Sequence, residues 1–264
     1  MNAGVVYVGG LFTHINDLPR NQIAAIDAAT GTAADWDPNA SGSSSVVYAL
    51  AASEGVVYAG GMFTSIGGQS RRGIAALAVA SGLATAWDPN LGGSPFQVTA
   101  LLVDRDVVYV GGAFTGMGGQ PRNNIAALDA ATATATNWNP SASSSVNALA
   151  SAPGVIYAAG YFTSIGGQAR SRIAALDSAT GQATDWNPST ERNNPVVALA
   201  VNGGTVYAGG FFNSMGGQVR NALAALDAST GAATSWNPNP VPFRYSLVVV
   251  SGSTHWPRVQ AESS

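Results

Sequence analysis

Short apolar runs recur along the chain, and each is bounded by glycine, proline, asparagine, aspartate or serine. In the unit that spans residues 146–195, the runs are Val146–Ala150, Val155–Ala158, Ile173–Asp177 and Ala183–Trp186. Runs of this length, rich in β-branched and aromatic residues between turn formers, predict β-strands. Gly-Gly, Asn-Pro and Thr-Gly pairs interrupt every stretch that is long enough for a helix. The pattern therefore predicts an all-β fold.

The runs belong to a unit of about fifty residues that occurs five times. Its framework reads Val-Tyr-(Ala/Val)-Gly-Gly-x-Phe, Gly-Gly-Gln-x-Arg, Ala-Ala-Leu-Asp-x-x-Thr-Gly and Trp-(Asn/Asp)-Pro. The tyrosines are Tyr7, Tyr58, Tyr109, Tyr157 and Tyr207, and the tryptophans, each 29 residues later, are Trp36, Trp87, Trp138, Trp186 and Trp236. Four short antiparallel strands repeated at such a period predict the four-stranded blades of a β-propeller. We place the units at 5–45, 46–97, 98–145, 146–195 and 196–240, within one domain over residues 1–264.

The turn between the third and fourth predicted strands carries its own signal. Asp177-Ser178-Ala179-Thr180-Gly181 has an aspartate that can accept bonds from the turn amides and a glycine that can take positive φ. Ala133 replaces the glycine in one unit and Ala78 replaces the aspartate in another. We expect a less favourable turn at Ala133.

The two ends of the repeat region are complementary in the sequence. The first unit begins at its second strand, Val5–Val8, and a β-type run, Tyr245–Val250, follows the last tryptophan. Leu247 lies eleven residues after Trp236, as Leu149 does after Trp138. We expect a closing strand at about 244–250 that completes the first blade and gives a five-bladed ring. The alternative is a fragment of a longer repeat array.

From Tyr7 to Pro238 the framework resembles three related propeller patterns. Val-Tyr-Ala-Gly-Gly-x-Phe followed by Asp-x-x-Thr and Trp is similar to kelch and galactose-oxidase-type blades. The string from Gly-Gly-x-Phe-Thr-x-Ile-Gly-Gly to Trp-Asn-Pro resembles the bacterial delta-60 repeat family. Ala-Leu-Asp-x-x-Thr-Gly before Trp is similar to the tryptophan-docking motif of quinoproteins, with one extra residue before Trp186. The resemblance to bacterial repeat proteins implies an exported or cell-surface setting.

Composition narrows the possible partners. Charged residues make up 9% of the chain and the net charge is −3, which argues against nucleic-acid and anionic-membrane partners. The absence of cysteine excludes disulfides and thiolate metal sites. No apolar run approaches the roughly 20 residues that a membrane span needs, so we expect no membrane insertion. Met1–Gly4 leads directly into a strand, which leaves no room for a signal peptide within this chain.

Residues that could carry catalysis are scarce. His14 and His255 are far apart in sequence and neither has ligand spacing. The predicted innermost strands contain no Asp or Glu, so no pair of carboxylates for glycoside hydrolysis can be named. The acids of Asp104-Arg105-Asp106 are best explained by a hairpin turn. We therefore expect no catalytic residue, no cofactor and no metal, and a protein that is not an enzyme.

The candidate ligand contacts come from the Gly-Gly-Gln-x-Arg segment, which the pattern predicts to be a loop. They are Gln69, Gln120, Gln168 and Gln218, with Arg20, Arg71, Arg122, Arg170 and Arg220. Four of the arginines precede an aspartate by seven residues. They either form structural contacts, which include hydrogen bonds between blades, or contribute to a ring of equivalent ligand sites.

Alternating strand direction predicts that these loops share one face with the connectors between units. Connectors of variable length on a rigid scaffold are common places for binding. Phe96 and Arg192 interrupt two otherwise Ser- and Gly-rich connectors and are further candidates. We expect a binding or surface-interaction module for a glycan or a protein. The rival hypotheses are a purely structural segment of a larger exported protein and, less favoured, a hydrolase or oxidoreductase.

Overall fold

The computed structural model describes residues 4–190 and 194–240, and these residues form an all-β structure. The first unit contains β1 (Val5–Gly9), β2 (His14–Ile15), β3 (Leu18–Pro19) and β4 (Ile23–Asp27). The second contains β5 (Val46–Ser53), β6 (Val56–Met62), β7 (Ser65–Ile66), β8 (Gln69–Ser70) and β9 (Ile74–Ala78). The third contains β10 (Gln97–Asp104), β11 (Val107–Ala113), β12 (Gly116–Met117), β13 (Gln120–Pro121) and β14 (Ile125–Asp129).

The last two units repeat this order. The fourth contains β15 (Val146–Ala152), β16 (Val155–Gly160), β17 (Ser164–Ile165), β18 (Gln168–Ala169) and β19 (Ile173–Asp177). The fifth contains β20 (Val196–Asn202), β21 (Thr205–Gly210), β22 (Ser214–Met215), β23 (Gln218–Val219) and β24 (Leu223–Asp227). Units two to five each form a three-stranded antiparallel sheet, in the orders β5-β6-β9, β10-β11-β14, β15-β16-β19 and β20-β21-β24. In the first unit the described residues give the main sheet two strands, β1 and β4.

The predicted fourth strand of each blade is reduced to a single bridge in the structure. In the fourth unit, Leu176 pairs with Ala183 and the ladder then stops. The next carbonyl, that of Thr184, instead accepts a hydrogen bond from Nη2 of Arg170 at 2.5 Å. The prediction of four-stranded blades is therefore wrong for the described residues, because an arginine side chain occupies the acceptor that would continue the ladder.

The Gly-Gly-Gln segments are tight β-hairpins rather than loops. In the second unit, β7 and β8 pair around Gly67 and Gly68, whose φ angles are 59° and 75°. Two successive positive φ values are what a two-residue type I′ hairpin requires, and glycine supplies them without strain. The first unit has Asn16 and Asp17 at these positions, with φ of 49° and 61°.

The core lies between adjacent sheets, so most strands are buried on both faces. In each unit the tyrosine of the second strand meets the tryptophan edge to face, for example Tyr109 and Trp138 with ring centroids 5.1 Å apart. Their neighbours include residues of the next unit, such as Ile156 and Ala158. Face-to-face packing of this kind explains the continuous apolar strands such as Val107–Val110.

The Gly-Gly pair at the end of the second strand is required by close approach. A Cβ on Gly60 would lie 2.4 Å from Cγ1 of Val98 in the next sheet. A Cβ on Gly61 would lie 2.0 Å from the carbonyl oxygen of Val46 on the inner strand. Ala159 replaces the first glycine in the fourth unit and is fully buried. The prediction that small residues allow neighbouring sheets to approach is confirmed.

The first and last units each expose an apolar position that is buried elsewhere. Val6 is 48% exposed, whereas Val57, Val108, Ile156 and Val206 are fully buried. Trp236 is 41% exposed, whereas the other four repeat tryptophans are 8% exposed or less. A cavity of about 840 Å³ lies beside Val5, Val6 and Tyr7, on the side where the described part of the chain places no inner strand in the first unit. The predicted closing strand at 244–250 lies outside the described residues.

Candidate functional site

The hairpins and the connectors between units lie on one face of the molecule. Each inner strand starts where the second strand of its sheet ends, as the pairing of Val46 with Met62 shows. The connector before β5 also bridges to the hairpin after β6, through Ser41 and Ser65. We call this the loop face, formed by the hairpins at 65–70, 116–121, 164–169 and 214–219 and the connectors at 39–45, 90–97 and 141–145. The predicted grouping of these segments is confirmed for these residues.

Backbone hydrogen bonds fix each hairpin between two units. The N–H of Gly67 donates to the carbonyl oxygen of Pro38 in the preceding unit at 2.6 Å. The carbonyl oxygen of Gly67 accepts from the N–H of Ala84 in its own unit at 2.9 Å. Gly118, Gly166 and Gly216 repeat both bonds. The Trp-(Asn/Asp)-Pro motif of one unit and the Gly-Gly-Gln hairpin of the next therefore bond to each other and form the junction between the two units.

The five candidate arginines are bound within their own units. Nη1 of Arg122 donates to the carbonyl oxygen of Pro121 at 2.8 Å, and Nη2 donates to that of Thr136 at 2.6 Å. Arg20, Arg71, Arg170 and Arg220 donate to the equivalent pairs of carbonyls. Burial lowers the pKa of Arg122. These contacts favour the structural interpretation, in which each arginine ties its hairpin to the segment before the tryptophan; the bonds run within a unit rather than between blades.

The aspartate seven residues after the arginine stabilises the turn between the third strand and the segment that leads to the tryptophan. Oδ1 of Asp177 accepts hydrogen bonds from the N–H groups of Ala179 and Thr180 and from the Thr180 hydroxyl. These bonds, led by that of the Thr180 N–H, lower the pKa of Asp177 below its ordinary value. The positive φ of Gly181, 76°, closes the turn as predicted. Ala133 takes a φ of 63°, an unfavourable value for a residue with a side chain.

The glutamines differ from the arginines because they face solvent. Gln69, Gln120, Gln168 and Gln218 are all exposed at the start of the second hairpin strand. Gln69 lines a cleft of about 550 Å³ between the first and second units. The polar residues around this cleft are Asp37, Asn39, Ser41, Ser65, Gln69 and Ser70, and Leu83, which is 60% exposed, forms an apolar part of its wall. The structure thus brings one of the candidate glutamines, Gln69, to a concave polar surface.

Phe96 and Arg192 have different outcomes. Phe96 is partly buried against the core, and the guanidinium carbon of Arg72 lies 4.1 Å from the centre of its ring. Arg72 also donates to the carbonyl oxygens of Leu91 and Gly93, so this connector is held against its hairpin. Arg192 lies outside the described residues.

Catalytic and metal-binding chemistry has few candidates in the structure. His14 is exposed, and its Nδ1 lies 3.0 Å from the hydroxyl of Thr13. Across residues 4–190 and 194–240, no three His, Cys, Asp or Glu side chains lie together as a metal site would require. None of the described segments forms a helix that is long and apolar enough to cross a membrane.

Comparison with known proteins supports the architecture. The model of a β-propeller domain of unknown function, DUF5122, matches residues 154–179. A search of curated proteins found no significant match. The chain is similar in structure to the computationally designed Ika8 protein, with 19% identity and a TM-score of 0.51 over 88% of this chain and 62% of Ika8.

A natural protein shows a similar fold. It is the extracellular domain of the one-component system BT4673 from B. thetaiotaomicron, with 15% identity and a TM-score of 0.55. The match covers 89% of this chain and 26% of that domain, so the chain spans about a quarter of its length. Together with the family match, these likenesses show a β-propeller-like repeat protein.

Proposed function

We propose that this chain is a non-enzymatic binding module that holds glycans in the clefts of its loop face. The observation that carries the proposal is the cleft at Gln69. Its volume of about 550 Å³ falls within the range of small-ligand sites. Its open position on a rigid, repeated scaffold is typical of binding surfaces.

The side chains of the cleft fit a hydroxyl-rich ligand. The amide group of Gln69 offers both a donor and an acceptor, and Ser70 offers a hydroxyl group. Oδ1 of Asn39 accepts a hydrogen bond from Asn21, and the hydroxyls of Ser41 and Ser65 bond to each other. These three side chains keep part of their hydrogen-bonding capacity for a ligand. Sugar hydroxyls need such paired donors and acceptors. The exposed apolar side chain of Leu83 matches the apolar face of a pyranose ring.

The junction that forms the cleft at Gln69 recurs along the chain, and we expect equivalent clefts at the other hairpins. An exposed glutamine beside a Gly-Gly turn bonded to the preceding proline occurs at Gln120, Gln168 and Gln218 as well. Low affinity at one cleft would add to that at the next when one long glycan engages several. This arrangement favours a polymeric glycan over a small isolated ligand.

The setting in this proposal is outside the cell. The neighbour from B. thetaiotaomicron is an extracellular domain, and the sequence resembles bacterial delta-60 and kelch-type repeats. A surface covered by uncharged polar side chains, with 9% charged residues overall, suits a glycan-binding role.

The proposed architecture is a closed ring of five blades. Val6 and Trp236 are both exposed. At each of the other junctions, the residue equivalent to Trp236 in one unit and the residue equivalent to Val6 in the next are both buried. In the sequence, Tyr245-Ser246-Leu247 aligns with the x-Ala-Leu triplet of the inner strands, as in Asn147-Ala148-Leu149, with serine in place of alanine. A strand from this segment would occupy the cavity beside β1. Deletion of Tyr245–Val250 should then lower the melting temperature, and an unchanged melting curve would contradict closure.

A glycan array tests the function. The intact chain is compared with a variant that carries Gln→Ala at positions 69, 120, 168 and 218, all of them exposed. Asn202→Ala, an exposed amide on the opposite face, serves as the control. The proposal expects selective glycan binding that the fourfold variant loses and the control retains. A blank array, or binding that the fourfold variant retains, would contradict it and favour a structural or protein-binding module.

A further inference from the structure

Each described inner strand contains a β-bulge at the same place. The register shifts between Val47 and Ala49 in β5, and at equivalent positions in β10, β15 and β20. The extra residues are Tyr48, Thr99, Asn147 and Val197. A bulge turns its extra residue away from the regular ladder, and bulges are over-represented beside functional sites.

The bulged residue is also the variable member of a constant motif. The inner strands read Val-Tyr-Ala-Leu, Val-Thr-Ala-Leu, Val-Asn-Ala-Leu and Val-Val-Ala-Leu. The flanking valines, Val47, Val98, Val146 and Val196, are buried, so the scaffold fixes them. The position between the valine and the alanine is free of that constraint and differs in all four units.

The four bulged residues line one cavity. Its volume is about 340 Å³, and its walls are the x-Ala-Leu triplets of β5, β10, β15 and β20. The bulges lie near the starts of the inner strands, where the connectors enter, so the cavity lies toward the loop face. Four separate units therefore bring their one variable inner-strand residue to a shared axial site.

We propose that this axial cavity is a second binding site, and that it takes a single neutral pyranose ring. Among residues 4–190 and 194–240, no Asp, Glu, Arg or His lines the cavity, so a charged ligand would lose water without gaining a counter-charge from them. Tyr48 is 45% exposed and offers an aromatic face. Asn147 offers a donor and an acceptor side by side, which matches two adjacent sugar hydroxyls.

The hydrogen bonds of the cavity leave these groups available. The hydroxyl of Thr99 donates to the carbonyl oxygen of Val146 at 2.8 Å, which ties the second of these strands to the third. Among the described residues, the side chains of Tyr48 and Asn147 make no such bond. A ligand with its own donors and acceptors would satisfy them. Val197 supplies an apolar wall.

The site is independent of the loop-face clefts, because it shares no residue with the cleft at Gln69. Saturation-transfer NMR with methyl glucopyranoside, methyl galactopyranoside and methyl mannopyranoside, and with glucuronate as the charged comparison, tests it. We expect transfer to at least one neutral pyranoside and much less to glucuronate. We expect Tyr48→Ala and Asn147→Asp each to raise the Kd of the bound neutral pyranoside about tenfold or more.

The controls separate specific binding from misfolding. Asn202→Ala, which alters an exposed amide on the opposite face, should leave the signal unchanged. The melting temperatures of Tyr48→Ala and Asn147→Asp should remain close to that of the parent. Asn147→Asp keeps the shape of the side chain but replaces the donor with a charge. No transfer to any neutral pyranoside, equal transfer to glucuronate, or a signal that survives Asn147→Asp would overturn the proposal. A signal that persists when the glycan array is blank would uphold the axial site while the cleft proposal fails.

Discussion

Nε1 of Trp186 donates a hydrogen bond to the carbonyl oxygen of Asp227, which lies 3.0 Å away in the next unit. Trp36, Trp87 and Trp138 make the equivalent bond to the unit that follows each of them. The constant interval within the repeat thus places each of these four indoles where it both packs on its own tyrosine and bonds to the next unit.

Trp186→Phe should weaken this junction. Phenylalanine keeps most of the aromatic packing and removes the indole donor, which leaves the carbonyl of Asp227 without that bond. We expect a loss of about 1–2 kcal/mol in the free energy of unfolding, measured by urea denaturation. Tyr161→Phe, which alters a residue that is 45% exposed, should have little effect. Equal stability of Trp186→Phe and the parent would show that the bond contributes nothing.

Gly112→Ala and Gly10→Ala form a matched pair that tests ring closure. A Cβ on Gly112 would lie 2.0 Å from the carbonyl oxygen of Gln97 on the inner strand, so we expect a loss of about 1–3 kcal/mol or more. At Gly10 the nearest atom is 3.5 Å away, because the described residues place no inner strand there. Closure by the C-terminal segment would put a strand against Gly10. We therefore expect Gly10→Ala to be nearly as destabilising as Gly112→Ala, and a neutral Gly10→Ala would contradict the ring.

Acid should weaken the Asp-Thr-Gly turns. Bonds from the Ser229 hydroxyl, the Thr230 N–H and other turn donors hold the pKa of Asp227 at about 2, below its ordinary 3.8. Because the folded state holds its proton less tightly than the unfolded chain, this contribution to stability is complete above about pH 4 and is lost as the pH falls through about 2. The melting temperature should drop over that window. Asp227→Ala should show a smaller drop, and an identical profile in both proteins would refute this origin.

Ala78→Asp should stabilise the second unit. Its turn keeps the backbone bond from the N–H of Gly82 to the carbonyl oxygen of Ala78 but lacks the carboxylate that caps the other turns. An aspartate there could accept bonds from the two amides that follow, and we expect the melting temperature to rise by roughly 1–3 °C. Asp177→Ala, the reverse change in the fourth unit, should lower the melting temperature. A fall on Ala78→Asp would mean that this turn differs from its relatives.

Much of the fold could be predicted from the repeat. The strand predicted at Ile173–Asp177 has those same bounds in the structure, and that at Val155–Ala158 extends to Gly160. These segments are buried on both faces, so their composition is strongly constrained. The segment at Ala183–Trp186 was predicted as a strand because of its pattern. In the structure the N–H of Ala183 donates to the hairpin carbonyl of Gly166, and the carbonyl oxygen of Thr184 accepts from Arg170. A carbonyl acceptor has no signature in the sequence, so this outcome could not be predicted.

The candidate site was only partly predictable. Regular spacing identified the glutamine and arginine of each hairpin, but it could not show that Arg122 is buried while Gln120 is exposed. The bulged residues were missed because Tyr48, Thr99 and Asn147 were treated as ordinary strand positions. Their signal was present as one variable residue inside a constant Val-x-Ala-Leu motif.

The stoichiometry of glycan binding tests the proposed function most directly. Native mass spectrometry of the intact chain counts the bound ligands, with the shortest oligosaccharide that binds on the array, so that each ligand engages a single cleft. Repeated clefts predict more than one ligand per chain, and fewer in the variant that lacks Gln69, Gln120, Gln168 and Gln218. A single bound ligand that the fourfold variant retains, or no bound ligand, would contradict binding at the loop-face clefts.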